Sequence, residues 1–268
     1  MSAFANPQPR VLVTRPEREA QVWAQALQTQ GLDAQAFPLI DIVPLPDPVE
    51  LALAWQQLSR HSAVMFVSAN AVRFFMAARP LTTRLPEIQA WGTGPGTEAA
   101  LLEAGWPAAL IRCPGADALQ FDSEALWALV LADVERWQMD GRAHSALIVR
   151  GADAQGQTAG RDWLALQMAD AGLQVAQCTA YARLAPKLDA KQLDLARQSL
   201  VGCCCWLFSS SEAAMHLREA LPGADFSQAC ALATHPRIAE RLRHWGWGRV
   251  LVVPATLSAQ ALSIKSIE

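Results

Sequence analysis

Val64-Met65-Phe66-Val67-Ser68-Ala69-Asn70-Ala71-Val72-Arg73-Phe74-Phe75 is the stretch that decides the fold. Four consecutive apolar residues give way to Ser-Ala-Asn and then to apolar positions at helical spacing, the pattern of a buried strand whose carboxyl end feeds a helix. Such a junction leaves unpaired backbone N–H groups at the positive end of a helix dipole, where an anion can be held. The same pattern returns at Cys205-Trp206-Leu207-Phe208-Ser209-Ser210-Ser211-Glu212-Ala213-Ala214. Two similar halves are therefore the first expectation.

Composition sets the bounds. With 268 residues, 52% of them hydrophobic, the chain can bury one large or two ordinary cores. A formal charge of −3, with no run of Lys or Arg, argues against a nucleic-acid or membrane surface held by bulk electrostatics. Cys203-Cys204-Cys205 lies inside an apolar run, and Cys113, Cys178 and Cys230 stand alone. Neighbouring cysteines in a strand point to opposite faces, so these read as buried thiols in a reducing cytosol and no metal site is expected. Residues 1–10 lack the basic-then-apolar pattern of a leader, and no apolar stretch approaches the roughly 20 residues that span a bilayer. The reading is a soluble, cytoplasmic protein.

Along the chain, strands alternate with helices. Residues 11–13 form a short strand, Thr14-Arg15-Pro16 a turn, and 17–30 an amphipathic helix with Val22, Ala26 and Leu27 inward. Pro38, Pro44, Pro46 and Pro48 mark a linker. A helix (49–60) and the opening strand-turn-helix follow, then a strand near 88–93 that enters a second helix through Gly94-Pro95-Gly96-Thr97. After a strand at 108–112, a helix at 123–134 and a polar loop, residues 146–149 begin another round that turns at Arg150-Gly151. A helix at 160–171 and a strand at 174–183 lead to Pro186, then a polar helix at 189–199, a strand at 201–208 and the Ser209-Ser210-Ser211 turn. A strand near 229–233 runs into His235-Pro236-Arg237-Ile238, and 250–253 is the last clear strand.

The halves superpose in sequence. Ser68 falls on Ser210 (210 − 68 = 142), Gly94 on His235 and Gly105 on Gly246 (each offset by 141), and Arg15 on Arg150 (150 − 15 = 135). Near-constant offsets argue for a duplication of about 140 residues. Strands alternating with helices argue for parallel sheets flanked by helices, α/β twice over.

The ordered set Val13-Thr14-Arg15-Pro16, Pro38-Leu39-Ile40, Ser68-Ala69-Asn70-Ala71-Val72, Gly94-Pro95-Gly96-Thr97, Arg150-Gly151, Arg161, Tyr181 and Ser209-Ser210-Ser211-Glu212-Ala213 resembles the uroporphyrinogen-III synthases of tetrapyrrole biosynthesis. The resemblance runs from residue 11 to about 253. It implies two similar α/β domains joined by two extended linker segments: 1–38 plus 183–268 as the first, 43–177 as the second, and 38–48 with 178–186 as the connections. It also implies cyclisation of hydroxymethylbilane, a linear tetrapyrrole polyanion, into uroporphyrinogen III with inversion of the last ring and loss of water. Neither a metal nor an organic cofactor is expected. A cleft with hinge motion, a monomer, and a contact with the preceding hydroxymethylbilane synthase complete the picture. The alternative is a non-catalytic binding or regulatory protein of the same descent that closes on an anionic ligand.

A polyanion bound by a slightly acidic chain has to be held locally, and the turns at Ser68, Ala69 and Asn70, at Gly94, Gly96 and Thr97, and at Ser209, Ser210 and Ser211 all offer N–H groups and hydroxyls where strands end. Capping alone is the competing reading of each turn. Tyr181, the chain's one tyrosine, is the general-acid candidate for the departing hydroxyl; a ring buried at an interface is the competing reading. Arg15 and Arg150 can pair carboxylates or tie down the fold, and Arg161 reads as a surface charge. The family pattern expects glycine at His235 and threonine at Ile238, so the second Gly-Pro-x-Thr turn is altered and Thr97 becomes the better candidate. His61, His144, His216 and His244 read as surface residues, and Trp91 as the tryptophan placed for pyrrole contact.

Overall fold

The structure is a computed structural model that describes residues 9–47, 49–115, 121–158, 162–201 and 204–267. Arg161, Cys203 and the start of the helix expected at 160 lie outside the described residues.

In chain order the elements are β1 (Arg10–Val13), α1 (Glu17–Gln28), β2 (Ala34–Ala36), β3 (Asp41–Pro44), α2 (Val49–Gln57), β4 (Ala63–Phe66), α3 (Ala69–Ala77), β5 (Gln89–Gly92), α4 (Pro95–Glu103), β6 (Ile111–Arg112) and α5 (Ser123–Met139). There follow β7 (Ser145–Ala152), α6 (Trp163–Asp170), β8 (Gln174–Leu184), α7 (Ala190–Gln198), β9 (Cys204–Phe208), α8 (Ser211–Ala220), β10 (Cys230–Ala233), α9 (Pro236–His244), β11 (Arg249–Val252) and α10 (Leu257–Lys265). They divide into two compact units, one taking the residues up to Asp41 and those from Leu184 onwards, the other Ile42–Arg183.

The first unit holds a five-stranded sheet in the order β11-β10-β9-β1-β2, its neighbours paired in parallel. β1 is a central strand, and Val11, Leu12 and Val13 are accordingly fully buried, because helices cover both faces of such a sheet. One face packs Val11, Val13, Cys205 and Leu207 under Ala20, Ala24 and Leu27 of α1 and Ala261 and Ile264 of α10. The periodicity that predicts Val22 inward is off by part of a turn: Val22 is 61% exposed, and the buried stripe is Ala20, Ala24 and Leu27. Two alanines on that stripe let the helix lie close to the strand, and the larger valine is turned to solvent. The other face is aromatic: Trp206 packs edge-on to Phe37 and Trp247 and parallel to Phe208, while its indole N–H donates to the Ser199 carbonyl at 3.1 Å.

The second unit holds a six-stranded sheet in the order β3-β8-β7-β4-β5-β6. Val64, Phe66, Leu147, Val149, Cys178, Ala180 and Tyr181 face α2, α3 and α4, with Trp55 stacked on Phe75. Met65, Trp91, Ala146 and Ile148 face α5 and α6. Both extended segments expected as linkers contribute strands to this sheet, β3 and β8, which are neighbours.

The duplication is physical. In the first unit β9-α8-β10-α9-β11 lies beside β1 and β2; in the second, β4-α3-β5-α4-β6 lies beside β7 and β8 in the same order. Val13 pairs with Leu207 as Val149 pairs with Phe66, so the matched strands differ by 207 − 66 = 141 and 149 − 13 = 136. Gly105 and Gly246, expected as helix stops, have φ of 84° and 82°, the left-handed conformation that a residue with a Cβ enters only at a cost.

Candidate functional site

β8 carries the deciding irregularity. Along a strand, side chains alternate between faces, yet Ala180 and Tyr181 are both buried on the α3 side. The register explains it: Arg150 pairs with Thr179, but Gly151 pairs with Tyr181, so Ala180 is an extra residue in a β-bulge. The bulge turns Tyr181 to the face it would otherwise miss. Its ring lies over Gly151, where a Cβ would sit 2.6 Å from Cε2, and beside Phe74 at 5.7 Å between centroids. Its hydroxyl reaches Ser68 Oγ at 3.0 Å.

Ser68 ends the run after β4 in an extended conformation and caps α3, accepting the Ala71 N–H at 3.1 Å. Ala69 is the first helical residue, and Asn70 Oδ1 accepts from Arg73 at 3.0 Å. The neighbouring turn is tied to this one, Thr93 Oγ1 donating to the Val67 carbonyl at 3.3 Å. Gly94 caps α4 with extended backbone, and a Cβ there would meet the Phe121 side chain at 3.1 Å. Pro95 has no N–H to offer, and the Thr97 and Glu98 N–H groups turn back to the Gly94 carbonyl at 2.9 and 3.1 Å. The Gly94 and Glu98 N–H groups also face the Cys113 thiol, which burial pushes up to about 11. Gly96 stands in open space. Thr97 itself is buried, its methyl against Gly92, and its counterpart Ile238 is buried in the same way.

Arg150 lies within β7, which runs through the turn expected at Arg150-Gly151. At 3% exposure it donates from Nη1 to Asp162 at 2.8 Å and to Gln177 at 2.9 Å, while its buried Nε has no partner among the described residues.

In the first unit Arg15 follows β1, its guanidinium 4.1 Å over the Trp23 ring. Burial draws its pKa down to about 10 against the pull of Glu19, so it stays charged at neutral pH. Ser209 forms a bend, Ser210 caps α8 by accepting the Glu212 N–H at 3.1 Å, and Ser211 opens the helix with a buried hydroxyl lacking a partner among the described residues. His235 takes the cap that Gly94 fills in the other unit, its Nδ1 accepting the Arg237 N–H at 3.1 Å. The imidazole thus occupies the amino end of α9 itself.

Several expectations change. Trp91 is fully buried, donating to Gln89 and stacked on Trp137, so it is a core residue. His216 is buried and donates from Nδ1 to the Leu39 carbonyl at 2.7 Å, not a surface residue. His144 binds Ser62 Oγ at 2.6 Å and Asp140 at 3.0 Å and stacks on Trp137, which clamps the start of β7 to that of β4. The five described cysteines are free, and no His, Cys, Asp or Glu cluster suited to a metal occurs among the described residues. No helix among them is long and apolar enough to cross a membrane.

The position of Tyr181 and Ser68 on the α3 face was not legible in the sequence, because a bulge has no residue signature of its own. Gly151 was the available signal.

The family model described as Uroporphyrinogen-III synthase HemD matches residues 21–263. A uroporphyrinogen-III synthase from Chlorobaculum parvum is 25% identical over 233 residues, 83% of each chain. Among solved structures, a mutant uroporphyrinogen III synthase from the extremely thermophilic bacterium Thermus thermophilus aligns with TM-score 0.56 at 19% identity, over 96% of this chain and 97% of that one. The uroporphyrinogen-III synthetase of Helicobacter pylori aligns with TM-score 0.57 at 13% identity, over 96% and 98%.

Proposed function

The chain belongs to the uroporphyrinogen-III synthase family, and on that premise we propose that Tyr181 is its proton donor and that the strand-end turns hold the carboxylates of its substrate. The enzyme is a cyclising lyase of tetrapyrrole biosynthesis: it closes hydroxymethylbilane to uroporphyrinogen III, inverting the terminal ring and releasing water.

The first step breaks the bond between the terminal carbon and its hydroxyl. The electron pair leaves with oxygen, the Tyr181 proton converts the leaving group to water, and the adjacent pyrrole nitrogen, keeping its proton, supplies electrons to form an azafulvenium cation beside the phenolate. The last ring then attacks through its substituted carbon; the spiro intermediate fragments and recloses in the other orientation. The ring proton lost at the end restores the phenol. Positioning of the polyanion carries much of the rate.

The observation that carries this reading is the Tyr181 hydroxyl at the amino end of α3, set there by the bulge and by Gly151. Carboxylates are held at Ser68, Ala69 and Asn70 in one unit, with Gly94 and Gly96 beside them, and at Ser209, Ser210 and Ser211 in the other. Arg15, Arg150 and Thr97 are engaged structurally by Trp23, by Asp162 and Gln177, and by Gly92, and stay outside this proposal. The two compact units serve as the domains, and the enzyme acts as a cytoplasmic monomer; its free thiols suit that compartment.

Supplying hydroxymethylbilane and measuring the ratio of isomer III to isomer I tests the reaction; isomer I alone, at the uncatalysed rate, refutes it. Tyr181→Phe lowers turnover about ten- to a hundredfold without abolishing it. Unchanged kinetics would remove Tyr181 from the mechanism.

A further inference from the structure

We infer that the groove between α8 and α9 receives outlying carboxylates of the substrate, held by the side chains of Arg237 and Arg241 with Arg218 adding charge beside them. The inference rests on the reading that strand-end turns hold carboxylates of the tetrapyrrole, and extends it to side chains that no turn contributes.

α8 and α9 pack against one another, and the open groove between them, about 580 Å³, is lined by Met215, Arg237, Glu240, Arg241, His244 and Trp245. That volume falls within the roughly 300–1,000 Å³ of small-molecule sites. Its cations are not neutralised by the fold. Arg218 and Arg241 stack on Trp245, with 5.1 and 5.7 Å from guanidinium carbon to ring centroid, and neither has an ion-pair partner among the described residues; nor has Arg237. Arg243 differs, its Nη2 donating to the Val250 carbonyl at 2.9 Å. Stacking on an aromatic ring steadies a guanidinium without cancelling its charge, so its N–H edge meets a carboxylate at little further cost in side-chain entropy. Glu240 is the one carboxylate of the lining, set against two guanidiniums there and a third at Trp245.

Position ties the groove to the reaction. Phe208 pairs with Ala233, and the Thr234 N–H donates to the Phe208 carbonyl at 3.0 Å, so the Ser209-Ser210-Ser211 turn and His235 stand side by side where β9 and β10 end. His235 takes the Arg237 N–H on its own Nδ1 and so withdraws that backbone donor from a ligand. The Arg237 side chain, exposed in the first turn of α9, offers a charge instead. Arg241 follows four residues on, about 6 Å along the helix at roughly 1.5 Å per residue. A chain of net charge −3 repels a polyanion as a whole. A local stripe of guanidiniums leading to the turn draws its carboxylates in.

Arg237→Glu and Arg241→Glu, both at exposed positions, are each expected to raise KM for hydroxymethylbilane about three- to tenfold, with kcat within about twofold of the parent. The double variant should also flatten the fall of kcat/KM with added salt. Arg84→Glu makes the same change of charge at an exposed position between α3 and β5, and is expected to leave both constants within about twofold. Titration calorimetry with benzenehexacarboxylate, an unreactive polycarboxylate, should show binding to the parent that weakens about threefold or more in the double variant. Unchanged KM in both single variants overturns the inference, as does a loss confined to kcat or one that Arg84→Glu reproduces. Failure of the underlying reading shows separately, as a parent protein that forms no isomer III. The calorimetry then still decides the groove: affinity that is absent, or equal in parent and double variant, overturns it.

Discussion

Gly151 and Tyr181 face each other across β7 and β8, and a Cβ on the glycine would stand 3.0 Å from the phenol oxygen and nearer still to the ring. No rotamer change on the glycine side relieves that overlap. Gly151→Ala is expected to displace the tyrosine ring, reduce turnover at least tenfold and cost about 1–3 kcal/mol in denaturant unfolding. Because both changes act on one group, the double variant with Tyr181→Phe should lose little beyond the worse of the two singles. Additive losses would separate Gly151 from the phenol.

Asp133 gives a pH signature. Burial is the largest influence on its carboxyl and opposes the charge, but hydrogen bonds from Gln89, Arg112 and Arg136, with the charge of Arg112, outweigh it and hold the group below the usual carboxylate range. A depressed folded value stabilises fully above the unfolded pKa of about 3.9 and is lost as pH falls through the folded one. Asp133→Asn should cost about 1–3 kcal/mol at neutral pH in urea unfolding. It should also flatten the loss of stability between about pH 5 and pH 2; parallel curves for the two proteins would contradict this.

The thiols should react in a set order. Cys205 and Cys230 pair across β9 and β10 with Sγ atoms 3.9 Å apart. The hydrogen bond between them, with the charge of Arg249, lowers Cys230, while the same bond and burial raise Cys205. Burial pushes Cys113 to about 11 and Cys178 to about 12. Peptide mapping after alkylation near pH 8 should find Cys230 modified before Cys113 and Cys178, whose rates climb about tenfold per pH unit toward pH 10 as the thiolate fraction grows. Cys205→Ala should slow Cys230, and an unaltered rate would dissociate the pair.

Thr97→Val retains the methyl packed on Gly92, and Ile238 fills the matching place in the other unit without a hydroxyl. Turnover and KM should stay within about twofold of the parent, with Thr97→Ala losing about 1 kcal/mol of stability through the vacated methyl. A severalfold rise in KM for Thr97→Val would give the hydroxyl a substrate role.

The alternation of strands and helices, the doubled strand-turn-helix and the paired glycines at 105 and 246 were legible because local chemistry dictates them: apolar runs, capping serines, and a residue free to take positive φ. What stayed hidden depends on partners distant in sequence. Val22 looks buried by type, but closeness of α1 to the sheet favours Ala20 and Ala24. Proline-marked segments read as linkers because period and punctuation do not reveal that β3 and β8 lie side by side. His216 found its acceptor, Leu39, 177 residues away. α10, which buries Gln260, Ala261 and Ile264, was missed altogether. At the site, the turn residues were visible and the bulge that brings Tyr181 to Ser68 was not.

Central placement of β1 imposes an order on biosynthesis. Val11 and Leu12 pair with Cys205 and Trp206, so the strand and its neighbour β2 emerge from the ribosome long before their sheet exists. The gap from Ala36 to Cys204 is 204 − 36 = 168 residues, about 10–30 s of translation at roughly 5–20 residues/s. The continuous unit Ile42–Arg183 can close on itself during that wait. Until β9 is made, β1 has only β2 to pair with, and its other edge stays open.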